Sequence, residues 1–314
     1  MKLQRLFSLI GLGILAYMLN RIGFEKIGNA LESLDIVYIS GVLFTIAIVL
    51  ALKGVKWRAA LGIFNIRIGT LSAIRMWIIG FSLGAITPGR VGDFAKIFYL
   101  NEKKSRSMGA VLVDRLTDIF AVVIFAVLGV GVFGSAVGLT YEVVLLLGAA
   151  LIFAIYFVKK HRHGVAEIFL SRFVPEKHRG LLRVALGEFY QSLRGASKNR
   201  AAILKVTALA IITWMISAFQ GYFIAKSLGI NISYFHMILI LSISALLELI
   251  PVTVAGLGTR EAGVVILMSF LGIESEKALV FSLTNFLFGY LGVAALGYVL
   301  CLRNPIKIDM EKEL

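Results

Sequence analysis

The chain has 314 residues, of which 59% are hydrophobic and 16% are charged, and its formal net charge is +14. Soluble domains contain about 45–50% apolar and about 25% charged residues, so this composition excludes an ordinary soluble protein. In a membrane protein the basic excess indicates cytoplasmic loops beside anionic lipid, rather than a nucleic-acid partner.

Apolar blocks recur along the chain, and most have about 17 to 25 residues, the length of a helix that crosses the hydrocarbon core. The sequence therefore predicts an all-α fold class, a polytopic integral membrane protein with about seven to nine hydrophobic segments. Residues 1–314 are expected to form a single transmembrane domain. In chain order the candidate segments are Leu6–Leu19, Ile36–Leu52, Leu71–Ile86, Met108–Phe133, Val143–Val158, Ala201–Leu228, Tyr234–Val254, Ala262–Leu271 and Leu279–Leu302.

Basic stretches between these segments predict the orientation. The longest polar stretch, residues 159–200, carries ten Lys or Arg against three Glu. The positive-inside rule places this loop in the cytoplasm. The stretches Lys53–Arg58 and Lys103–Arg106 and the basic C-terminal tail are expected on the same side. The chain is thus predicted to be a multi-pass protein of the cell membrane with both termini in the cytoplasm.

Two of the hydrophobic segments are predicted to be broken or re-entrant. If Leu71–Ile86 crossed the membrane fully, Lys53 and Lys103 would face opposite sides, because no other segment lies between them. Two of the four prolines of the chain, Pro88 and Pro251, stand at the ends of short or interrupted segments. Paired interruptions in the two halves point to an inverted-repeat transporter whose site lies near the membrane midplane, and we take that arrangement as a hypothesis.

The first charged motif begins at the first of these prolines. Thr87 is a favoured N-cap and proline is favoured in the first turn, so a helix is predicted to start here. An arginine at a helix N-terminus forms a ready anion site, because backbone N–H groups and the guanidinium converge on one oxyanion. The alternative is a polar turn at the membrane surface. The predicted site residues are Arg90, Asp93 and Lys96, and the predicted structural breaks are Pro88, Gly89 and Gly92.

The second motif, Asp114-Arg115-Leu116-Thr117-Asp118, precedes a long apolar run. Asp114 and Asp118 share a helix face, and Arg115 is expected to pair with Asp118 at a spacing of three. Charges buried inside a membrane cost about 2.5–3.5 kcal/mol each on insertion scales and need partners. The alternative is a salt-bridged helix end at the interface. Lys56, Trp57 and Arg58 are interpreted as an ordinary interfacial anchor.

The third motif joins a carboxylate, a proline break and a glycine-rich turn. Thr259 is expected to cap a new helix that carries an arginine and a glutamate in its first turn. The glycine pair is not a dinucleotide fingerprint, because neither a strand nor a third glycine accompanies it. The predicted site residues are Glu248, Arg260 and Glu261, and the breaks are Pro251, Gly256 and Gly258.

No catalytic, metal or cofactor site is predicted from the sequence. The histidines His161, His163 and His178 lie in the basic loop without nearby Cys or paired carboxylates, and a solvated loop explains them. No nucleophile elbow, phosphate-binding loop or zinc-protease helix is present in the sequence. The expected protein is a transporter and not an enzyme.

The three motifs together resemble the lysylphosphatidylglycerol synthase transmembrane family. The resemblance rests on Pro88-Gly89-Arg90-x-Gly92-Asp93, on Asp114-Arg115-x-x-Asp118, and on Pro251 followed by Gly256-Leu257-Gly258-x-Arg260-Glu261-Ala262. That family includes the flippase domain of the multiple peptide resistance factor and many uncharacterised bacterial and archaeal membrane proteins. The resemblance covers nearly the whole chain, with the motifs in the expected order.

The resemblance implies a flippase that translocates a phospholipid. In some cases a separate lipid-modifying enzyme first modifies that phospholipid. No soluble synthase domain is expected in this chain, so aminoacyl transfer is not implied. The expected partners are membrane phospholipids or polyprenyl-phosphate lipids. An alternative is a non-transporting membrane partner of an envelope glycosyltransferase, because some archaeal relatives join such a domain to one. A third reading, a membrane-embedded lipid transferase, requires an acid–base pair, for which Asp114 and Asp118 are the candidates.

Overall fold

The structure, a computed structural model of the chain, describes residues 34–85, 87–100, 102–137, 199–249 and 258–303, and the single residues Glu25, Glu32 and Arg194. Within these ranges the ordered elements are all helical and no strand is present. The predicted segments Leu6–Leu19 and Val143–Val158, and most of the basic loop, lie outside the described residues. The helices are α1 (Ile36–Ile63), α2 (Thr70–Ala85), a 3₁₀ helix (Pro88–Tyr99), α3 (Lys104–Val137), α4 (Arg200–Ser227), α5 (Tyr234–Leu249), α6 (Thr259–Ser269), α7 (Ser275–Phe286) and α8 (Val293–Arg303).

Four of the described helices are long and apolar enough to cross a membrane. They are α1, α3, α4 and the continuous run of α7 and α8, which are joined by a π-helical turn at Leu287–Gly292. Helices α2 and α5 have 16 residues each. Each is about 24 Å long, which is shorter than the hydrocarbon core of about 30 Å. The predicted all-α, polytopic membrane class is confirmed.

Helix α1 continues well beyond the end predicted for it at Leu52. The stretch Lys53–Arg58 is helical, and Lys56 and Trp57 are fully buried. The prediction of a cytoplasmic loop with an interfacial anchor at this place was wrong. In the sequence, two lysines in an apolar run look like the end of a helix. In the structure, carboxylates from distant parts of the chain neutralise them.

The two described halves of the chain repeat one plan of elements. The boundaries of α1 and α2 recur as the boundaries of α4 and α5 with one constant separation along the sequence. The starts of the 3₁₀ helix and α3 recur as the starts of α6 and α7, again with one separation. This second separation is larger because the break inside the second half contains more residues. The two described halves therefore share one order and spacing of elements.

The equivalent helices α1 and α4 pack against each other in opposite directions. The start of α1 meets the end of α4, because a Cβ atom added at Gly41 would lie 3.2 Å from Cδ2 of Phe223. The end of α1 and the start of α4 share another apolar cluster, which contains Trp57 and Val206. Equivalent helices that run antiparallel are related by a two-fold axis perpendicular to them. The described halves therefore have the arrangement of an inverted repeat, as the paired breaks in the sequence suggested.

Each half contains a hairpin, in which a short helix is followed by a second helical segment that packs back against it. In the first hairpin (Thr70–Tyr99), the 3₁₀ helix lies so close to α2 that a Cβ at Gly92 would stand 2.1 Å from the carbonyl oxygen of Leu83. In the second hairpin (Tyr234–Ser269), a Cβ at the equivalent Gly263 would stand 2.6 Å from Cδ1 of Leu247. Glycine is needed at Gly92 because a side chain there would meet the backbone of α2, whereas the neighbour of Gly263 is the end of a flexible leucine side chain.

Each hairpin packs on the last described helix of the opposite half. Helix α2 lies on α8, where the Ser82 hydroxyl donates to the Ala294 carbonyl at 2.7 Å. Helix α5 lies on α3, where a Cβ at Gly129 would stand 2.8 Å from Cδ1 of Ile243. Each hairpin thus lies against a helix of the other half.

Candidate functional site

Buried charges join α1, the 3₁₀ helix and α3. The ammonium of Lys56 lies 2.9 Å from Oδ1 of Asp114 and 2.7 Å from Oδ1 of Asp118. The ammonium of Lys96 lies 2.7 Å from the other oxygen of Asp114. Lys56, Lys96 and Asp114 are all buried. Asp114 therefore sits between two lysines from two different elements.

A partly exposed edge completes this group of charges. Lys53 lies 2.9 Å from Oδ1 of Asp118, and Arg115 forms an ion pair with Asp93. The side chains of Lys53, Asp118 and Arg115 are 14%, 18% and 22% exposed, whereas that of Lys56 is fully buried. We call the following seven residues the first-half ion cluster: Lys53, Lys56, Asp93, Lys96, Asp114, Arg115 and Asp118.

Pairing offsets the cost of placing these charges away from water. The Lys56 ammonium also donates to the Asp114 carbonyl at 2.7 Å, and the Lys96 ammonium lies 4.0 Å from the centroid of a Trp57 ring. Removing one member of a buried pair typically costs about 3–5 kcal/mol, because the other charge is left without compensation. The cluster therefore ties the first hairpin to α1 and α3.

The sequence predicted part of this cluster and missed the rest. It singled out Asp93, Lys96, Asp114, Arg115 and Asp118, and the structure brings all five together. The expected pairing of Arg115 with Asp118 is corrected, because the structure pairs Arg115 with Asp93 across two elements. The Asp114 side chain has no exposed surface and is paired within the protein.

The missed residues are Lys53 and Lys56 of α1. Their spacing of three within an otherwise apolar run was the available signal, since it places two cations on one helix face. Arg90 lies in the first turn of the 3₁₀ helix, as predicted, and its side chain is outside what the structure describes. Pro88 begins that helix, whose 3₁₀ geometry replaces the expected α-helix.

The second half holds a smaller charged group at the start of α6. Arg260 forms an ion pair with Glu261 and lies 3.5 Å from Oε1 of Glu248 on α5. Its guanidinium carbon is 4.5 Å from the ring centroid of Phe286. Arg260 is only 6% exposed, and its Nε has no hydrogen-bond partner among the described residues. The three predicted residues of this motif are thus adjacent in space.

Glu261 has a local structural role at this helix start. Its Oε2 accepts a hydrogen bond from the Gly258 N–H at 2.6 Å, which satisfies a donor that the helix leaves open. The N-cap is Gly258, with φ at +85°, and Thr259 is the first helical residue, so the predicted capping by Thr259 is wrong. A positive φ favours glycine over threonine at the cap. The predicted breaks Pro251 and Gly256 lie outside the described residues.

The second half also carries a neutral counterpart of the first-half ion cluster. Gln220 occupies the position equivalent to Lys56, and its side-chain amide donates to Oδ1 of Asn285 at 3.0 Å. Asn285 is equivalent to Asp114 in the repeated plan. A Cβ at Gly289, the equivalent of Asp118, would lie 2.3 Å from Nε2 of Gln220. The second half thus keeps these contacts of the first-half ion cluster but not its charges. The sequence alone did not predict this correspondence.

Comparison with known proteins agrees with the motifs. The family described as the lysylphosphatidylglycerol synthase TM region matches residues 6–297. A UPF0104 membrane protein of Pyrococcus horikoshii is 26% identical over 332 residues, covering 95% of this chain and 96% of its own. A UPF0104 membrane protein of Methanothermobacter thermautotrophicus is 24% identical over 313 residues, covering 92% of this chain and 91% of its own.

Proposed function

The chain belongs to the family of the lysylphosphatidylglycerol synthase TM region, and from that membership and its charged hairpins we propose that it is a lipid flippase. It binds the phosphate of a phospholipid head group and moves that group between leaflets while the acyl chains stay in lipid. It acts as a transporter and not as an enzyme. It lies in the cell membrane with both termini in the cytoplasm.

The hydrogen bonding of the Arg260 side chain is the observation that carries this proposal. A guanidinium binds phosphate through two parallel N–H donors, and the Nε–H of this arginine has no partner among the described residues. Its contact with Glu248 is long at 3.5 Å, and the Glu248 side chain is 23% exposed. A phosphate oxygen can therefore replace Glu248 at low cost, whereas Glu261 stays bonded to the backbone of Gly258.

Glu248 also supplies a means of release. A transporter has to bind its cargo weakly enough to let it go, and a nearby carboxylate competes with phosphate for the same guanidinium. The exposed fraction of Glu248 shows that its side chain reaches the edge of the buried site. We therefore assign the competing role to Glu248 and a fixed, structural role to Glu261.

The inverted arrangement of the halves supports movement of the head group. In such transporters the site lies near the midplane at broken helices, and one repeat moves against the other around it. Here the two arms of each hairpin pack against each other, and each hairpin packs on the opposite half. We take both hairpins as re-entrant segments.

Lipid translocation in proteoliposomes tests this function. The vesicles contain head-group-labelled phosphatidylglycerol or phosphatidylcholine, and dithionite quenching measures how fast the labelled lipid reaches the outer leaflet. We expect the wild type to accelerate exchange, Arg260→Gln to lose that acceleration and Arg260→Lys to keep part of it. Arg200→Gln is the matched control, since Arg200 is exposed at the start of α4.

The other outcomes of this experiment point to other functions. If Arg260→Gln exchanges lipid as fast as the wild type, the assigned site is wrong but the flippase function stands. Absence of exchange for every lipid contradicts the flippase and favours a partner of a glycosyltransferase that handles polyprenyl-phosphate sugars, which co-purification would reveal. Formation of a new labelled lipid by the purified protein contradicts the non-enzymatic assignment.

A further inference from the structure

Four aromatic side chains form a column between the two halves. The ring centroids of Trp77 and Phe81 on α2 are 5.4 Å apart, and those of Phe81 and Tyr290 are 5.3 Å apart. Tyr290 stacks on Phe286 with a centroid distance of 5.0 Å. These separations are those of favourable aromatic pairs. Since two rings come from each half, the column crosses the interface between the halves.

A cation stands at each end of this column. The ammonium of Lys53 lies 5.7 Å from a ring centroid of Trp77, and the guanidinium of Arg260 lies 4.5 Å from that of Phe286. Both distances fall within the range in which a ring face attracts a cation. The first-half ion cluster and the Arg260 group therefore lie at the two ends of the aromatic column.

Lys53 is the cation in excess within the first-half ion cluster. The three carboxylates of the cluster are already paired without it: Arg115 pairs with Asp93, Lys96 with Asp114, and Lys56 with both Asp114 and Asp118. Among the described residues, the single ion-pair contact of Lys53 is to Oδ1 of Asp118, the same oxygen that Lys56 contacts. The cluster thus has four cations for three carboxylates, and Lys53 shares its carboxylate.

The position of Lys53 makes this excess charge available. It lies about 15 Å along α1 from the end at Ile63, within a helix that is long and apolar enough to cross a membrane. An excess positive charge inside a membrane is costly and attracts an anion. Its side chain is 14% exposed, whereas those of Lys56 and Lys96 are at most 1% exposed. Lys53 is therefore the lysine of the cluster that an anion can reach with least rearrangement.

We propose that Lys53 is a second phosphate-binding residue, and that the aromatic column positions it opposite Arg260 along one path for the head group. The inference rests on the proposed function. A head group released at one end of the column meets the other cation without leaving the interface between the halves. Phe81 and Phe286 are half-buried, so part of the column is open at its side.

Substitution of Lys53 tests the inference by the same exchange assay. We expect Lys53→Gln to slow exchange at least about tenfold, because a charge-assisted hydrogen bond to phosphate is lost. Lys53→Arg is expected to retain most of the rate, because the charge remains. Lys205→Gln is the matched control, since Lys205 is exposed on α4. Exchange by Lys53→Gln within twofold of wild type, with Arg260→Gln inactive, overturns this inference and leaves the proposed function intact.

A binding measurement makes the test independent of transport. Short-chain dihexanoyl phosphatidylglycerol is titrated into the detergent-solubilised protein while tryptophan fluorescence is recorded. Binding at Lys53 is expected to change the emission of the neighbouring Trp77, and that of Trp57 beside Lys96, so Trp77→Phe reduces the signal and Trp214→Phe keeps it. Lys53→Gln should weaken the apparent affinity at least about tenfold. An unchanged affinity in Lys53→Gln overturns the assignment whether or not the wild type flips lipid.

Discussion

Lys56 of α1 and Gln220 of α4 occupy equivalent positions in the two halves and make equivalent contacts with different charge. The Lys56 ammonium lies 2.9 Å from Asp114, and the Gln220 amide donates to Asn285 at 3.0 Å. An ion pair in one half thus corresponds to an amide pair in the other. This relationship shows which substitutions preserve the local geometry while removing the charge.

The first prediction concerns this pair. Asp114→Asn is expected to lower the free energy of unfolding by about 3–5 kcal/mol, because the buried Lys96 loses the carboxylate that it pairs with. Lys56→Gln is expected to cost less, because Asp114 keeps Lys96 and Asp118 keeps Lys53. Thermal unfolding in detergent measures both variants. A Lys56→Gln variant less stable than Asp114→Asn would contradict this pairing.

The second prediction concerns the close approach inside the first hairpin. Gly92→Ala is expected to destabilise the protein by about 1–3 kcal/mol or more, because its Cβ meets the backbone of Leu83 and no flexible side chain can yield. Gly62→Ala is the control, since a Cβ there has no neighbour within 4 Å. The thermal midpoints of the two variants are compared with wild type. Equal midpoints for Gly92→Ala and Gly62→Ala would contradict the tight hairpin.

The third prediction concerns the antiparallel packing of α1 and α4. In a Cys301→Ala background, Gly41→Cys with Phe223→Cys is expected to form an oxidative cross-link, because the two positions are in contact. Gly41→Cys with Lys205→Cys should not cross-link, since Lys205 lies near the opposite end of α4. Gel mobility after protease cleavage in the basic loop reports the link. A reversed pattern would require parallel helices and remove the inverted repeat.

The fourth prediction separates the two glutamates near Arg260. Glu248→Gln is expected to change the unfolding free energy by less than about 1 kcal/mol, because its contact is long and partly exposed. Its lipid exchange should slow, since phosphate is no longer displaced from Arg260. Glu261→Gln is expected to destabilise the protein, because it removes a buried charge that pairs with Arg260 and accepts from Gly258. Thermal unfolding and exchange are measured for both, and equal losses of stability would contradict the division of roles.

Local patterns in the sequence accounted for a large part of the candidate site. Charged residues in apolar surroundings drew attention to Asp93, Asp114 and Arg260, because an unpaired charge in a membrane is costly and therefore needs a partner. Proline followed by glycine located the turn of the first hairpin. The same reasoning misplaced Lys53 and Lys56, because a lysine at a helix end and a lysine in a buried pair have the same neighbours in sequence.

The sequence by itself determined that this protein lies in a lipid bilayer, and it located the places where the helices break. Hydrophobic composition, segment length and backbone restriction at proline act locally, so they can be read residue by residue. The tertiary structure alone decided which charges neutralise one another and where the aromatic column runs. Those features depend on distances between residues far apart along the chain, such as Lys56 and Asp114 or Phe81 and Tyr290. Ion-pair and ring energies fall steeply with distance, so only the packing of the helices defines them.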